Sequence, residues 1–265
     1  MNLYFDQNNK LVFDQSNDPI LSYYVNVGNP TNLSIKSYTK SAVTLNWVNT
    51  MVVAQTEIYN SINGADSTLL YTSTPGSTSY VHSIAMSSYL TNEYKIRAKV
   101  SGYTSSFTTT KTINLSANKL SNTGAPGTTD WVDSNSDGVA DGFSVSGSAP
   151  LLYSIVTGNS FNGNAQRFQS STAYAWLNTS FQMTNGKTYY HSIKSRSGCS
   201  VGAYYYNLLN SGTVIMNLPN NSGSAVFTDV LYTMNVNSNG GEGIYTYGLQ
   251  FTEVDEWIIR EVTVT

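Results

Sequence analysis

The chain has 265 residues, a length that suggests about two domains. Only 11% of the residues are charged and the formal net charge is −3, whereas about 25% are charged in an average soluble domain. The sequence has no cluster of Lys and Arg, which argues against nucleic-acid binding because that affinity depends on neutralising phosphates. No apolar run reaches the length of about 18 residues that a membrane-spanning helix needs. Hydrophobic residues at 40% exclude a wholly disordered chain.

Residues 1–28 are predicted to form an N-terminal docking arm. Two short apolar runs, Leu3–Phe5 and Leu11–Phe13, flank a polar turn and predict a β-hairpin. Because an isolated two-stranded hairpin is only marginally stable in water, its apolar residues need a surface to pack on. That surface belongs either to this chain's own domain or to a partner. The residues concerned are Leu3, Phe5, Leu11 and Phe13.

Residues 29–115 carry short strand signals at regular spacing and no helical period. Val43, Leu45 and Trp47, for example, alternate with other side chains, and about seven such strands predict an antiparallel sandwich. The segments AVTLNW, TEIYNSING, TSTPGSTSY and NEYKIRAKVSGY resemble a fibronectin type III domain. In this resemblance Trp47 is the buried tryptophan of strand B and Tyr94 is the tyrosine-corner residue. The resemblance implies a spacer or docking module rather than a specific ligand site.

The rest of the chain is divided into a linker and a second domain. Residues 116–129 are rich in Ser, Thr, Gly and Pro and predict a linker. Residues 130–265 again lack helical periodicity and contain about eight to ten strand signals, which predict a jelly roll. The expected fold is therefore all-β: a hairpin arm, a fibronectin type III-like β-sandwich and a β-jelly-roll sandwich.

The most specific motif is DSNSDGVAD at residues 133–141. Oxygen-bearing side chains recur at every second position, and Gly138 permits a tight turn. Ca²⁺ prefers about six to eight oxygen ligands, which such a short loop can wrap around one ion. The motif predicts a structural Ca²⁺ site at the entrance of the second domain, and an Asx-rich turn without metal is the alternative. The expected ligands are the side chains of Asp133, Asn135, Asp137 and Asp141 and the carbonyl of Val139.

Most of residues 122–265 resemble carbohydrate-binding modules of the family 4/9 kind. The segments that carry the resemblance are WVDSNSDGVADGF, NGKTYYHSIKSRSG and WIIREVTVT. The last strand has Arg260 and Glu261 where that family usually has a pair of aspartates near the metal. The resemblance implies a jelly roll that binds sugars through aromatic rings stacked on the C–H faces of pyranoses, with amides and hydroxyls completing the hydrogen bonds.

Several aromatic residues are candidates for this stacking. In the predicted strand 173–181, Ala175, Leu177 and Phe181 share one face, so Tyr174 and Trp176 share the other. At least one of three consecutive tyrosines at 204–206 must also point outward. Alternatively, these rings cover the core or contact a neighbouring subunit. The candidates are Tyr174, Trp176, Tyr204 and Tyr206, followed by Trp131 and Trp257.

No constellation of residues predicts catalysis, and we expect a non-enzymatic protein. The sequence has no nucleophile elbow and no phosphate-binding glycine loop. His191 alternates with Tyr189 and Ile193, which predicts an inward-facing, satisfied histidine, and Cys199 is expected to be an inert thiol. A glycosidase needs two carboxylates about 5–10 Å apart. Four acidic residues near the C-terminus show no such partner and are predicted to be surface charges: Glu253, Asp255, Glu256 and Glu261.

The N-terminal MNLYFDQNNK lacks the basic and apolar regions of a secretory signal, although modules of these two kinds usually act outside cells. This combination resembles a phage virion surface or fibre protein: a head fibre, a capsid decoration, or a tail or baseplate component. Such a protein is assembled in the host cytoplasm and released by lysis. Residues 1–28 would dock on other virion proteins, the second domain would bind a host-surface glycan, and a homo-oligomer is expected. The alternative is an accessory carbohydrate-binding protein of a polysaccharide-degrading system, and an enzyme acting on glycans is the least favoured interpretation.

Overall fold

A computed structural model describes residues 4–5, 11–12, 27–125, 128–159, 163–197, 203–207, 213–218, 226–235, 240–247 and 251–265. The described chain is almost entirely β-structure, as predicted, and its one helical element in this part is a 3₁₀ turn at Met86–Ser88. Within the same residues, no helix is long and apolar enough to cross a membrane. The strands in chain order are β1 (Tyr4–Phe5), β2 (Leu11–Val12), β3 (Thr31–Thr39), β4 (Ala42–Val48), β5 (Gln55–Ile62), β6 (Thr68–Thr72), β7 (Ser79–Ser83), β8 (Thr91–Val100), β9 (Tyr103–Thr104), β10 (Lys111–Leu115), β11 (Phe143–Gly147), β12 (Leu151–Asn159), β13 (Gly163–Ser170), β14 (Tyr174–Met183), β15 (Thr188–Ser197), β16 (Ala203–Asn207), β17 (Thr213–Leu218), β18 (Val226–Thr233), β19 (Gly240–Tyr247) and β20 (Thr252–Val264).

Two strands of the predicted N-terminal hairpin form an antiparallel pair. Tyr4 of β1 pairs with Val12 of β2, and Phe5 pairs with Leu11. Leu3 and Phe13 lie outside the described residues, as do the side chains of Phe5 and Leu11. The choice between packing on this chain and docking on a partner therefore stays a prediction.

Strands β3 to β10 form the first sandwich. A three-stranded sheet, β3-β4-β7, faces the sheet β10-β8-β5-β6, and the alternation on β4 buries Val43, Leu45 and Trp47 between them as predicted. The hydroxyl of Tyr94 is buried too. It accepts a hydrogen bond from Asn92 Nδ2 at 2.9 Å and lies 2.8 Å from His82 Nδ1, so the polar end of this ring is satisfied within the core.

Strands β11 to β20 form the second sandwich. The sheet β11-β14-β19-β16-β17 faces a second sheet in which β20 lies between β13 and β15, with β12 and β18 at its edges. Trp131 and Trp257 are fully buried in the core between the two sheets. The indole nitrogen of Trp131 donates to the carbonyl of Asp255 at 2.7 Å. These two tryptophans therefore serve packing and do not reach a sugar.

The acidic residues of β20 do not match the prediction of surface charge. Glu253, Asp255 and Glu256 are buried, with 7% exposure at most, because β20 is a central strand whose outer side is covered by neighbouring side chains. Arg167 from β13 and Arg196 from β15 both form ion pairs with Glu253. Lys194 Nζ lies 3.6 Å from Asp255 Oδ2, and Lys187 Nζ lies 2.7 Å from Glu261 Oε1. Cys199, predicted to be an inert thiol, lies outside the described residues.

Candidate functional site

The outer side of β14 and β19 carries a group of aromatic rings, which we call the outer aromatic face: Tyr174, Trp176, Tyr245 and Tyr247. In the antiparallel register Tyr174 is opposite Tyr247 and Trp176 is opposite Tyr245. Directly opposed residues of an antiparallel pair project to the same side of a sheet. The strand positions between them, including Ala175, are buried in the core. The pleat therefore brings the four rings together on the side away from the core.

Three rings of the outer aromatic face, those of Tyr174, Trp176 and Tyr245, contact one another. Trp176 and Tyr245 have ring centroids 4.7 Å apart at an interplanar angle of 63°, and Tyr174 and Tyr245 are 5.9 Å apart at 32°. Tyr174 is 38% exposed and Tyr247 is 45% exposed. These mutual contacts restrict the rings, so a ligand that stacks on them meets a surface that is already ordered.

Two of the four predicted rings lie on the outer aromatic face, together with two tyrosines that were not predicted. Tyr174 and Trp176 point away from the core, as the alternation of their strand predicts. The backbone of Tyr204 pairs with Tyr245, while the side chains of Tyr204 and Tyr206 lie outside the described residues. Tyr245 and Tyr247 were missed, although they alternate with buried residues in the segment GIYTY and so follow the same rule.

The sheet that bears these rings is nearly free of charge. Its five described strands contain one charged residue, Glu242, and that residue points into the core. Polar groups next to the rings are neutral: the amide of Asn178 donates to Ser146 Oγ at 3.0 Å. Rings together with neutral amides and hydroxyls can hold a ligand that is polar, uncharged and flat on one side.

Glu242 and His191 form a buried pair beneath the outer aromatic face. His191 Nδ1 lies 3.7 Å from Glu242 Oε2, and both side chains are inaccessible to solvent. Neither carboxylate oxygen of Glu242 has a hydrogen-bond partner among the described residues. Burial raises the pKa of Glu242 well above its usual value and lowers the pKa of His191 to about 3. Both groups are therefore held neutral.

The predicted calcium loop is closed by its own hydrogen bonds. The carboxylate of Asp133 accepts from the amides of Asp137 and Gly138 at 3.2 and 2.7 Å, and Asp141 accepts from both the amide and the hydroxyl of Ser134. In the part of the chain that the structure describes, no three His, Cys, Asp or Glu side chains are grouped as a metal ion would need. The three aspartates of this loop thus do not converge as they stand. The arrangement is that of an Asx-rich turn, and the calcium site stays a prediction.

No protein-family profile matches this chain, and no curated protein is similar to it in sequence. Among solved structures it is similar to a segment of two fibronectin type III domains from chicken tenascin, at 14% identity and a TM-score of 0.31, over 90% of this chain and 99% of that one. It is also similar to the xylanase 10B of Clostridium thermocellum, comprising CBM22-1 and GH10 modules in complex with xylohexaose, at 13% identity and a TM-score of 0.35, over 45% of this chain.

A third similarity is to the tailspike protein 4 of bacteriophage CBA120, at 9% identity and a TM-score of 0.33, over 45% of this chain. This chain spans 26% of the xylanase structure and 19% of the tailspike structure. These solved structures include fibronectin type III domains and a CBM22 module. Similarities at this level concern the fold alone.

Proposed function

We propose that this chain is a non-enzymatic adhesion protein that binds glycans on the outer aromatic face. The observation that carries the proposal is the pair Trp176 and Tyr245, whose rings contact each other on the outer side of a sheet whose described strands carry no exposed charge. Aromatic rings attract the C–H faces of pyranoses, and neighbouring amides and hydroxyls bond the sugar hydroxyls. Asn178 and Ser146 supply such groups next to Trp176.

The described strands of this sheet carry no exposed acid–base pair, and this supports the proposal of binding without turnover. Glycoside hydrolysis needs two carboxylic groups on either side of the scissile bond. In the five described strands of this sheet the only acid is Glu242, which is sealed beneath the rings beside His191. Incubation with a polysaccharide is therefore expected to leave its chain length unchanged.

The glycan site is tested by removing the two central rings. Trp176→Ala together with Tyr245→Ala is expected to weaken adsorption to the matching polysaccharide at least about tenfold, since each stacking contact contributes roughly 1 kcal/mol. Adsorption is measured on insoluble xylan, cellulose and chitin and on intact bacterial cells. Tyr103→Ala is the matched control, because Tyr103 is an exposed tyrosine of the first sandwich. Unchanged adsorption of the double variant would contradict the site.

We further propose that a phage virion carries this chain as a homo-oligomer, with the N-terminal arm docked on other virion proteins. The arm pattern in the sequence and the β1–β2 pairing support this part of the proposal. The alternative is an accessory binding protein of a polysaccharide-degrading system, in which the arm has no docking role.

Deletion of residues 1–26 separates these two alternatives. The deletion retains Val27, which is buried against Met51 and Ala54, so both sandwiches are expected to keep their fold. On a virion, the shortened chain should disappear from purified particles while it still adsorbs to glycan. Its presence in particles at normal copy number would refute docking through the arm.

A further inference from the structure

One strand belongs to the sheets of both sandwiches. Along one edge, β20 pairs with β15 over almost its whole length. Along the other edge it pairs with β13 at Thr252–Val254 and with β10 of the first sandwich at Val262–Val264. Because β10 also pairs with β8, a single hydrogen-bonded sheet continues from one sandwich into the other.

The predicted linker fills the edge of β20 between these two pairings. The amide of Ser116 donates to the carbonyl of Glu261 at 2.9 Å, and Ser116 Oγ accepts from the amide of Glu261 at the same distance. Asn118 donates to the carbonyl of Trp257 at 3.0 Å and accepts from the amide of Ile259 at 2.8 Å. Residues 116–119 therefore run along the edge of β20 and are hydrogen-bonded to it, so they are not a free linker.

The two sandwiches also share apolar packing. Tyr190 on β15 and Val262 on β20 are buried in the core cluster of the first sandwich, together with Met86 and Tyr89, and Leu231 on β18 packs against the same cluster. Tyr190 lies on the side of its strand opposite to the core of the second sandwich. Pulling the sandwiches apart would expose these side chains and leave the paired edge of β20 without partners, and both changes are unfavourable.

We propose that the second sandwich depends on its contacts with the first for stability, so that the two unfold as one cooperative unit. The first sandwich is then not a spacer, because the sheet that backs the outer aromatic face depends on it for its central strand. Two observations carry the proposal independently: the continuous sheet through β10 and β20, and the shared packing around Tyr190 and Val262. It does not depend on which ligand the protein binds.

The test removes a buried side chain from the first sandwich and measures the stability of the second. Trp47→Phe leaves every tryptophan in the second sandwich, so fluorescence then reports that sandwich alone. In this background, Ile96→Ala removes a buried side chain of the first sandwich, on the part of β8 beyond its pairing with β10. We expect the urea midpoint of the fluorescence to fall by about 1 M, together with the far-ultraviolet dichroism.

An uncoupled variant provides the control. Tyr190→Ala with Val262→Ala weakens the shared packing, and Ile96→Ala should then shift the fluorescence midpoint less than it shifts the dichroism. If Trp47→Phe does not fold, hydrogen exchange of the otherwise unaltered chain replaces fluorescence: Ile96→Ala should speed exchange in β14 as much as in β5. The proposal is overturned if Ile96→Ala leaves the second sandwich's midpoint, or the exchange of β14, unchanged.

Discussion

Glu242 and His191 face each other between the two sheets of the second sandwich, and their protonation makes the stability of the fold depend on pH. Burial raises the pKa of Glu242 above 4.5 and lowers that of His191 from 6.5 to about 3. Between pH 4.5 and 6.5 the unfolded chain has lost the proton of Glu242 and kept that of His191, whereas burial in the folded chain favours the proton on Glu242 and excludes it from His191. The contributions of the two groups to the pH dependence therefore oppose each other in this interval.

Outside that interval the folded and unfolded chains bind different numbers of protons. On the alkaline side, the raised pKa of Glu242 makes stability fall as the pH rises towards the folded pKa of that group. Below pH 4.5 unfolded His191 holds a proton that the folded chain excludes, so stability falls as the pH drops towards 3. The pair therefore lowers stability towards both the acid and the alkaline end of the pH range.

Glu242→Gln is expected to remove the loss on the alkaline side, because glutamine stays neutral and has nearly the same shape. The free energy of unfolding in urea should be similar for both proteins at pH 5. At pH 8.5 the variant should be the more stable of the two proteins. A constant difference between the two proteins at both pH values would show that Glu242 does not titrate in this way.

At the scale of the elements, the 133–141 loop is either an Asx-rich turn without metal or a Ca²⁺ site, and the two alternatives predict different effects of calcium on stability. In the turn described above, Asp133 and Asp141 accept hydrogen bonds from the loop's own backbone and from Ser134. Gln166 anchors the loop from the core side: its side chain accepts from the amide of Ala140 at 2.7 Å. To hold Ca²⁺, the carboxylates would exchange these hydrogen-bond partners for the ion and turn towards a common centre.

Calcium is expected to raise the unfolding temperature of the full chain. A ligand that binds only the folded state adds about 2.7 kcal/mol at a concentration one hundred times its Kd. Asp133→Asn with Asp137→Asn should abolish the effect, and Asp66→Asn, at an exposed aspartate of the first sandwich, should preserve it. If calcium and EDTA give the same unfolding temperature, the loop is an Asx-rich turn and nothing more.

The strands could be predicted from the sequence, but the contacts between the two sandwiches could not. Alternation is a local property, so Ala175 and Trp176 reveal which side of β14 is buried without any knowledge of its neighbours. The partner of residues 116–119 lies about 140 positions further along the chain, as in the bond between Asn118 and Ile259. Ser, Thr, Gly and Pro occur both in free linkers and in segments whose side chains bond a distant strand, so this composition does not distinguish the two.

At the scale of the whole molecule, charge is scarce and much of it is paired. Each sandwich has one buried glutamate held by two cations, Glu57 by Arg97 and Lys99 in the first and Glu253 by two arginines in the second. The uncharged polar residues of the chain are therefore its main polar groups: 29 Asn, 36 Ser and 30 Thr. A surface of this kind approaches a neutral partner without electrostatic steering, and contact between the two depends on short-range fit.

The position of β20 also determines when the protein can fold during its synthesis. Every strand that β20 pairs with, namely β10, β13 and β15, leaves the ribosome before it. Until residue 264 has emerged, β13 and β15 lack the strand that pairs with both of them, so each keeps an unpaired edge. The N-terminal half can collapse early, but the second half has to wait for its central strand. During that interval the unpaired edges are the part of the chain most prone to aggregate.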